Sequence, residues 1–176
     1  MKKLFLTLAV IFTMGGLLAQ TQNSDNATIQ ATANLIGEIA VTAEQNLEFG
    51  DIGFEDPTTV PLSNTDDRGV FFVELGPGNP NVNFVFTLPE ELTHQGGDDT
   101  GLEIGNWNVA VGGGLNSEDY NEEWNNISSE TPYSFNMEAG GGDRQRHVYI
   151  GATVTPDEDN WVGDYEGDVT LTVEYN

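Results

Sequence analysis

The sequence predicts an all-β protein, an antiparallel β-sandwich of immunoglobulin-like type with about seven to nine strands. Short stretches in which every second residue is apolar recur along the chain, and glycine- and proline-rich clusters such as Gly76–Pro80 separate them. Beyond the first twenty residues, no stretch carries the apolar i, i+3, i+4, i+7 spacing of a helix. These two patterns favour packed antiparallel sheets over a mixed α/β fold.

The clearest predicted strand comes last in the sequence. Its apolar residues occupy every second position: Val169, Leu171, Val173 and Tyr175. β-Branched and aromatic residues at period two predict a strand that buries one face. Gly163 precedes it and is predicted to fix a turn at its start.

Other stretches with the same alternation predict the rest of the sandwich. The three longest are Phe71–Leu75, Val82–Leu88 and Val148–Val154. Five shorter candidates are Ala27–Leu35, Ile39–Val41, Leu102–Ile104, Trp107–Val111 and Tyr133–Met137. Residues 116–130 are predicted to form a long acidic loop.

The beginning of the sequence indicates export. Lys2 and Lys3 precede an apolar run that ends at Ala19, which is the layout of a secretory signal peptide. The run is short for a membrane span, and polar residues follow it. We therefore expect residues 1–19 to be removed. Residues 20–176 are expected to form one β-sandwich domain in the periplasm, at the cell surface or outside the cell, with no membrane span.

The chain is strongly acidic, with 29 Asp and Glu residues, 5 Lys and Arg residues and a formal net charge of −24 at pH 7. Removal of residues 1–19 takes away Lys2 and Lys3 and no acid, which leaves 3 basic against 29 acidic residues, a charge of −26. Such a charge repels phosphate backbones and so excludes nucleic acid as a partner. The absence of Cys excludes disulfides and thiol chemistry.

Four motifs follow one another in order along the chain: Leu47–Ile52 (LEFGDI), Phe86–Pro89 (FTLP), Tyr149–Val154 (YIGATV) and Gly163–Gly167 (GDYEG) before the last strand. This order resembles a family of secreted bacterial domains of unknown function with an N-L-x-F-G-x-I motif and a G-x-Y-x-G-x-x-x-V-x-V-x-Y ending. That family is related to the spore-coat-U-like and archaic chaperone–usher pilins. The resemblance implies a pilin-like sandwich that lacks one strand and accepts it from a periplasmic chaperone, then from the next subunit. The disulfide common in archaic pilins is missing here.

The resemblance implies roles for two segments. A donor strand alternates apolar residues behind a polar leader, and the candidates are Ile29, Ala31, Ala33 and Leu35. The alternative is that this segment is the ordinary first strand of its own fold. Candidates for the C-terminal zipper strand, beside which a partner strand packs, are Gly163, Val169, Leu171, Val173 and Tyr175. Tyr175 could instead cap the core with its hydroxyl in water.

The sequence gives little support for catalysis, so we predict no enzyme activity and no cofactor. The two histidines, His94 and His147, lie in no partner motif for nucleophilic catalysis. The alternative to having no cofactor is a bound calcium ion. Its candidate ligands are Asp157, Asp159 and Asp164, in a loop rich in side-chain oxygens that does not have the EF-hand spacing. Trp124, in the acidic loop, is the candidate for stacking on a glycan, with a core or anchoring role as the alternative.

The sequence as a whole predicts an exported, non-catalytic structural or adhesive surface protein. Its favoured form is a pilin-like subunit that assembles by β-strand addition, with other pilin-like subunits and a periplasmic chaperone as partners. The alternative is a free-standing extracellular module that binds a glycan or calcium. Residues 27–35 distinguish the two, since they form a donor strand in the first case and an internal strand in the second.

Overall fold

A computed structural model describes residue 30 and residues 37–54, 56–97, 101–113, 118–139 and 144–176. The chain divides into a unit of residues 1–34, of which only Gln30 is described, and a unit of residues 35–176. The predicted signal peptide and the donor-strand candidates Ile29, Ala31, Ala33 and Leu35 lie outside the described residues. In the described part of the chain, no helix is long and apolar enough to cross a membrane.

The described residues form eleven strands and no helix, so the predicted all-β class is confirmed with more strands than expected. In chain order the strands are β1 (Ile39–Gln45), β2 (Thr58–Val60), β3 (Gly69–Leu75), β4 (Asn81–Thr87), β5 (Glu91–His94), β6 (Leu102–Gly112), β7 (Tyr120–Asn125), β8 (Pro132–Asn136), β9 (Gln145–Thr155), β10 (Tyr165–Glu166) and β11 (Thr170–Tyr175).

The strands form two sheets of unequal size. The larger sheet has the order β1-β3-β9-β6-β5-β10, with β2 added to β9 and β7 added to β6. The smaller sheet has the order β11-β4-β8. Every strand pair is antiparallel.

The connectivity is that of an immunoglobulin sandwich, which places strands A, B, E and D in one sheet and C, F and G in the other. Here β1, β3, β9 and β6 take positions A, B, E and D, while β4 and β11 take positions C and F. Position G lies on the outer edge of strand F. None of the described strands occupies that position beside β11.

The core lies between the two sheets, and alternate residues of the central strands supply it. Val73, Val82, Phe84, Phe86 and Val148 are completely buried there. Burial of each such side chain stabilises the fold by roughly 1.5–3 kcal/mol. The alternation predicted for the three longest stretches is therefore the pattern that faces the opposite sheet.

A second, smaller cluster covers the outer face of the larger sheet around Arg68. The guanidinium carbon of this fully buried residue lies 4.0 Å from the centroid of the Tyr149 ring. Arg68 Nη1 donates to the Leu62 carbonyl at 2.6 Å and to Tyr120 Oη at 3.0 Å. Burial raises the pKa of Tyr120, while the nearby Arg68 charge acts in the opposite direction. Through Tyr120, the cluster fixes the start of β7 on the outer face of the larger sheet.

The predicted loop over residues 116–130 is wrong in its central part, which forms β7. A register shift at Val111 and Gly112 explains why no alternation was visible. Tyr120 pairs with Gly112 and joins the outer cluster, whereas Trp124 pairs with Val109 and faces the core. The bulge lets side chains four residues apart point to opposite faces, so the sequence lacks a period of two there.

Candidate functional site

The lateral edge formed by β1 and β11 is open between the sheets. Val41 pairs with the buried Val73 in the β1–β3 ladder, so it points toward the smaller sheet, yet its exposed fraction is 39%. From β11, Val173 pairs with the buried Phe84 and points toward the larger sheet, yet it is only partly buried. We call the gap between these two inner faces the slot.

The main chain of β11 contributes the second feature of the slot. One side of β11 pairs with β4 along its whole length, from Thr170 opposite Thr87 to Tyr175 opposite Val82. The other side carries no partner among the described strands. An unpaired edge presents a row of N–H and C=O groups that a further extended segment can satisfy.

Tyr175 closes one end of the slot. Its hydroxyl donates to the Glu38 carbonyl at 3.3 Å and so joins the end of β11 to the residue before β1. Gly37 is needed at this contact, since a Cβ there would collide with the Tyr175 hydroxyl. The opposite end of the slot, at Ala43 and Val169, has no such bridge in the described residues.

A wider cavity of about 860 Å³, which we call the groove, is lined by Ala43 and Val169 at this end of the slot. Residues 46–54 form one wall and residues 160–169 form the other. The floor comes from the larger sheet and includes Leu102, Ile104, Trp107, Ile150 and Val154.

The wall of residues 46–54 explains the LEFGDI motif. Leu47, Phe49 and Ile52 pack on the core, although the segment belongs to no strand. Gly50 has a φ of +64°, a left-handed conformation that side chains with a Cβ rarely adopt. The chain changes direction at Gly50, between the alternating pair Leu47 and Phe49 and the residue Ile52. All three apolar side chains can therefore reach the core.

The opposite wall presents exposed apolar residues. Trp161 and Val162 have exposed fractions of 62% and 84%. The loop is fixed beneath them, because Tyr165 Oη donates to the Trp161 carbonyl at 2.8 Å and the His94 ring packs edge-on against Trp161. Gly163 lies so close to His94 that a Cβ would collide with the imidazole. The sequence analysis assigned Gly163 a turn, and close packing is the additional reason for glycine.

The groove is acidic at its rim. Five carboxylate residues are among the described residues that line it, and no Lys, Arg or His is: Glu48, Asp51, Asp164, Glu166 and Asp168. The three arginines of the chain lie elsewhere. Arg68 and Arg146 are buried, and Arg144 forms an ion pair with Glu138 at 2.8 Å.

The structure does not place Trp124 where the glycan prediction needs it. Trp124 is half-buried on β7 and packs edge-on against Phe84 and Phe135, with Tyr133 5.6 Å away between ring centroids. The tryptophan with the largest exposure is Trp161. The residues next to Trp124 and Trp161 in the sequence do not indicate which of the two is exposed, because the side chains that cover Trp124 come from β4 and β8.

The candidate calcium ligands are exposed and are not gathered into a cage. Asp157 Oδ1 accepts from the Asp159 main-chain N–H at 2.6 Å, which is the bond of a local turn. Asp164 lies on the groove wall. Among the described residues, no group of three or more His, Cys, Asp or Glu side chains could hold a metal ion.

The histidines also take structural positions. His147 Nε2 lies 3.1 Å from Glu44 Oε2 on the outer face of the larger sheet, and its ring stacks on Tyr149 and lies tilted against Phe72. His94 is buried under the Trp161 loop. In the described part of the chain, neither side chain forms a hydrogen bond with a Ser hydroxyl.

Comparison with known proteins gives a weak structural likeness. No protein-family model matches the chain, and no curated protein matches it. One solved structure that matches is the CsuC–CsuE chaperone–tip adhesion subunit pre-assembly complex from the archaic chaperone–usher Csu pili of Acinetobacter baumannii. The match has a TM-score of 0.39 and 13% identity over 80% of this chain. This chain spans only 40% of the chain that it matches. A likeness this weak carries no functional weight, so any functional proposal depends on the geometry of the slot and the groove.

Proposed function

We propose that this chain is an exported, non-catalytic, pilin-like surface subunit, structural or adhesive, that is completed by a β-strand from another molecule. The observation that carries the proposal is the slot. The outer edge of β11 has no described partner strand, and the apolar inner faces of Val41 and Val173 lie partly exposed beside it. This is position G of an immunoglobulin sandwich.

A strand added at this position would satisfy two needs of the slot at once. Its main chain would pair with the free N–H and C=O groups of β11, and its alternate side chains would enter the slot. Each apolar side chain that becomes fully buried in this way adds roughly 1.5–3 kcal/mol. In this proposal Val169, Leu171, Val173 and Tyr175 form the zipper face, and Gly163 precedes them.

The donor in the assembled form is the segment Ile29, Ala31, Ala33 and Leu35 of another copy. A periplasmic chaperone supplies the strand before assembly, as the pilin-like resemblance implies. Residues 1–19 act as the signal peptide and residues 20–176 as the single sandwich domain. The assembled protein then lies at the cell surface or outside the cell.

The first test is self-assembly. Residues 20–176 are purified, and polymers are sought as ladders on an unboiled denaturing gel and as rods in negative-stain electron microscopy. Polymers that disappear on deletion of residues 21–35, or in Ile29→Asn with Leu35→Asn, support the proposal. Thr32→Ser is the matched control, since Thr32 lies on the polar face of the same segment.

The second test addresses the acceptor. Val173→Lys places a charge in the slot and is expected to abolish polymers. Thr172→Lys places the same charge on the opposite, exposed face of β11 and is expected to leave them intact. Circular dichroism of both variants is the control that tests whether the sandwich is folded.

A free-standing binding module is the second candidate, and the exposed Trp161 beside Asn160 and Asp164 favours it. An exposed indole with neighbouring amide and carboxylate groups suits a sugar ring. A monodisperse monomer with one concentration-independent melting transition would replace the subunit proposal by this one. Titration of the tryptophan fluorescence with oligosaccharides or calcium, in the unaltered chain and in Trp161→Ala, would then identify the ligand and show whether Trp161 reports its binding.

A further inference from the structure

The large exposed apolar side chains of the described residues lie at the slot and the groove. The large apolar side chains exposed there are Val41, Phe54, Trp161 and Val162. Val41 lies in the slot, and the other three line the groove. Phe54 is on one wall and Trp161 and Val162 are on the other, so apolar groups flank the mouth from both sides. Such grouping marks a surface that is covered by a partner.

The depth of the groove suits an extended apolar segment. Its floor includes buried aliphatic residues from two adjacent strands, Leu102 and Ile104 from β6 and Val154 from β9. The groove meets the slot at Ala43 and Val169, so the chain next to a strand paired with β11 could enter the groove and cover this floor. Apolar side chains on alternate positions of that segment would replace water there.

The carboxylates at the rim of the groove favour an occupant with positive charge. These carboxylates include Asp51 on one wall and Asp164 on the other, and no described lining residue is basic. The His94 ring packs edge-on against the Trp161 indole, and Tyr165 Oη donates to the Trp161 carbonyl, while most of the surface of Trp161 is open to solvent. A fixed aromatic face beside carboxylates is the environment that binds an ammonium or guanidinium group.

We infer that the preferred occupant of the groove is a strand from a different protein, with alternate apolar residues facing the floor and lysine or arginine facing the rim. The inference rests on the proposed strand addition, because the groove meets the slot at Ala43 and Val169. The donor segment of a second copy, which completes the slot in the assembled form, is the weaker occupant of the groove. Residues 20–36 contain no Lys or Arg, and both copies would carry a large negative charge.

Three peptides with one apolar face test this choice of partner. The first is residues 27–36 of the chain, ATIQATANLI. The second has Lys in place of Gln30, Thr32 and Asn34, and the third has Glu at the same positions. Dye-labelled peptides are titrated with the purified chain and followed by fluorescence anisotropy. At 50 mM salt we expect the Lys peptide to bind about tenfold tighter than the native peptide, and the Glu peptide to bind more weakly.

Protein variants separate the rim from the overall charge of the molecule. Asp51→Asn with Asp164→Asn, and separately Trp161→Ala, are expected to reduce the Lys preference. Glu122→Gln with Glu123→Gln removes two exposed charges from β7 on the opposite edge and is expected to preserve it. An equal loss in this control pair would mean that only the general field attracts the peptide, which overturns the inference.

The outcomes also separate the inference from the proposed function. Equal affinity for the native and Lys peptides overturns the basic-partner inference and leaves strand addition intact. Failure of all three peptides, in a chain that circular dichroism shows to be folded, overturns both. Tighter binding of the Lys peptide that depends on Trp161 and the rim carboxylates supports both.

Discussion

The two lateral edges of the sandwich are built from the same two sheets but differ in how they end. At the β7–β8 edge, Trp124 packs against Phe84, Tyr133 and Phe135 and joins the sheets. At the β1–β11 edge, the described link is the contact of Tyr175 with Glu38. One edge is closed by aromatic packing and the other leaves apolar residues exposed. The packing that stabilises the sandwich and the surface proposed for binding therefore lie at different edges of one fold.

The closed edge should be the more sensitive of the two to truncation. Trp124→Ala removes the side chain that contacts three aromatic neighbours, and we expect the free energy of unfolding to fall by about 3 kcal/mol. Urea denaturation followed by circular dichroism measures the change. A loss below about 1 kcal/mol would mean that the aromatic contacts do not hold this edge together.

The outer face of the closed edge should show a distinct pH dependence. Tyr120 has a pKa raised by burial above its usual 10.0, so the folded chain holds the phenol proton more tightly than the unfolded chain. This contribution to stability is complete below about pH 10 and is lost as the pH rises through the folded pKa. Tyr120→Phe is expected to cost about 1.5 kcal/mol at pH 8 through lost hydrogen bonds.

Above pH 10 the same variant should lose stability less steeply than the unaltered chain, because it has no phenol to ionise at this position. Unfolding measured at intervals between pH 8 and pH 11.5 gives both curves. Parallel curves would show that Tyr120 does not contribute to alkaline unfolding.

The open edge should tolerate truncation. Val41→Ala shortens a side chain that is already 39% exposed, so we expect a change in stability of about 0.5 kcal/mol or less. In the assembly assay the same variant should have a clear effect, because it reduces the apolar surface of the slot. A destabilisation as large as that of Trp124→Ala would remove the distinction between the edges.

The smallest effect is expected at the bridge of the open edge. Tyr175→Phe removes an exposed hydrogen bond of 3.3 Å to the Glu38 carbonyl but keeps the ring. Stability should change by a few tenths of a kcal/mol, or about 0.5 at most. Hydrogen exchange of the β11 amides is the finer measurement, and faster exchange at Glu174 and Tyr175 would show that the hydroxyl steadies the end of the strand.

Strands with strict alternation could be predicted from the sequence, because a strand between two sheets buries every second side chain. β4 and β11 follow this rule, whereas β3 and β9 also bury residues on their outer faces, such as Val70 and Tyr149 in the outer cluster. β6 appears in the sequence as two pieces, since Asn106 adopts a left-handed φ of 51° and the pairing shifts register between Gly105 and Asn108. β2 and β10 have three and two residues, too few to establish any period.

The site was less accessible to prediction than the fold. Alternation identified the inner face of β11, but exposure of Trp161 and burial of Trp124 depend on strands distant in sequence. The groove has the same origin, since residues 46–54 and 160–169 form its walls from opposite halves of the chain. Short-range patterns carry no information on which loops meet across a sheet.

The sheltered arginines have a consequence for how the molecule meets proteases. Beyond Lys3 the sequence has no lysine, so trypsin can cut only after Arg68, Arg144 and Arg146. Arg68 and Arg146 are buried, and Arg144 is held by Glu138 and by the Gly76 carbonyl. Cleavage by trypsin-like enzymes therefore requires the sandwich to open first. A chain that is exported, as we propose, would gain resistance to this class of protease from its composition, without a disulfide.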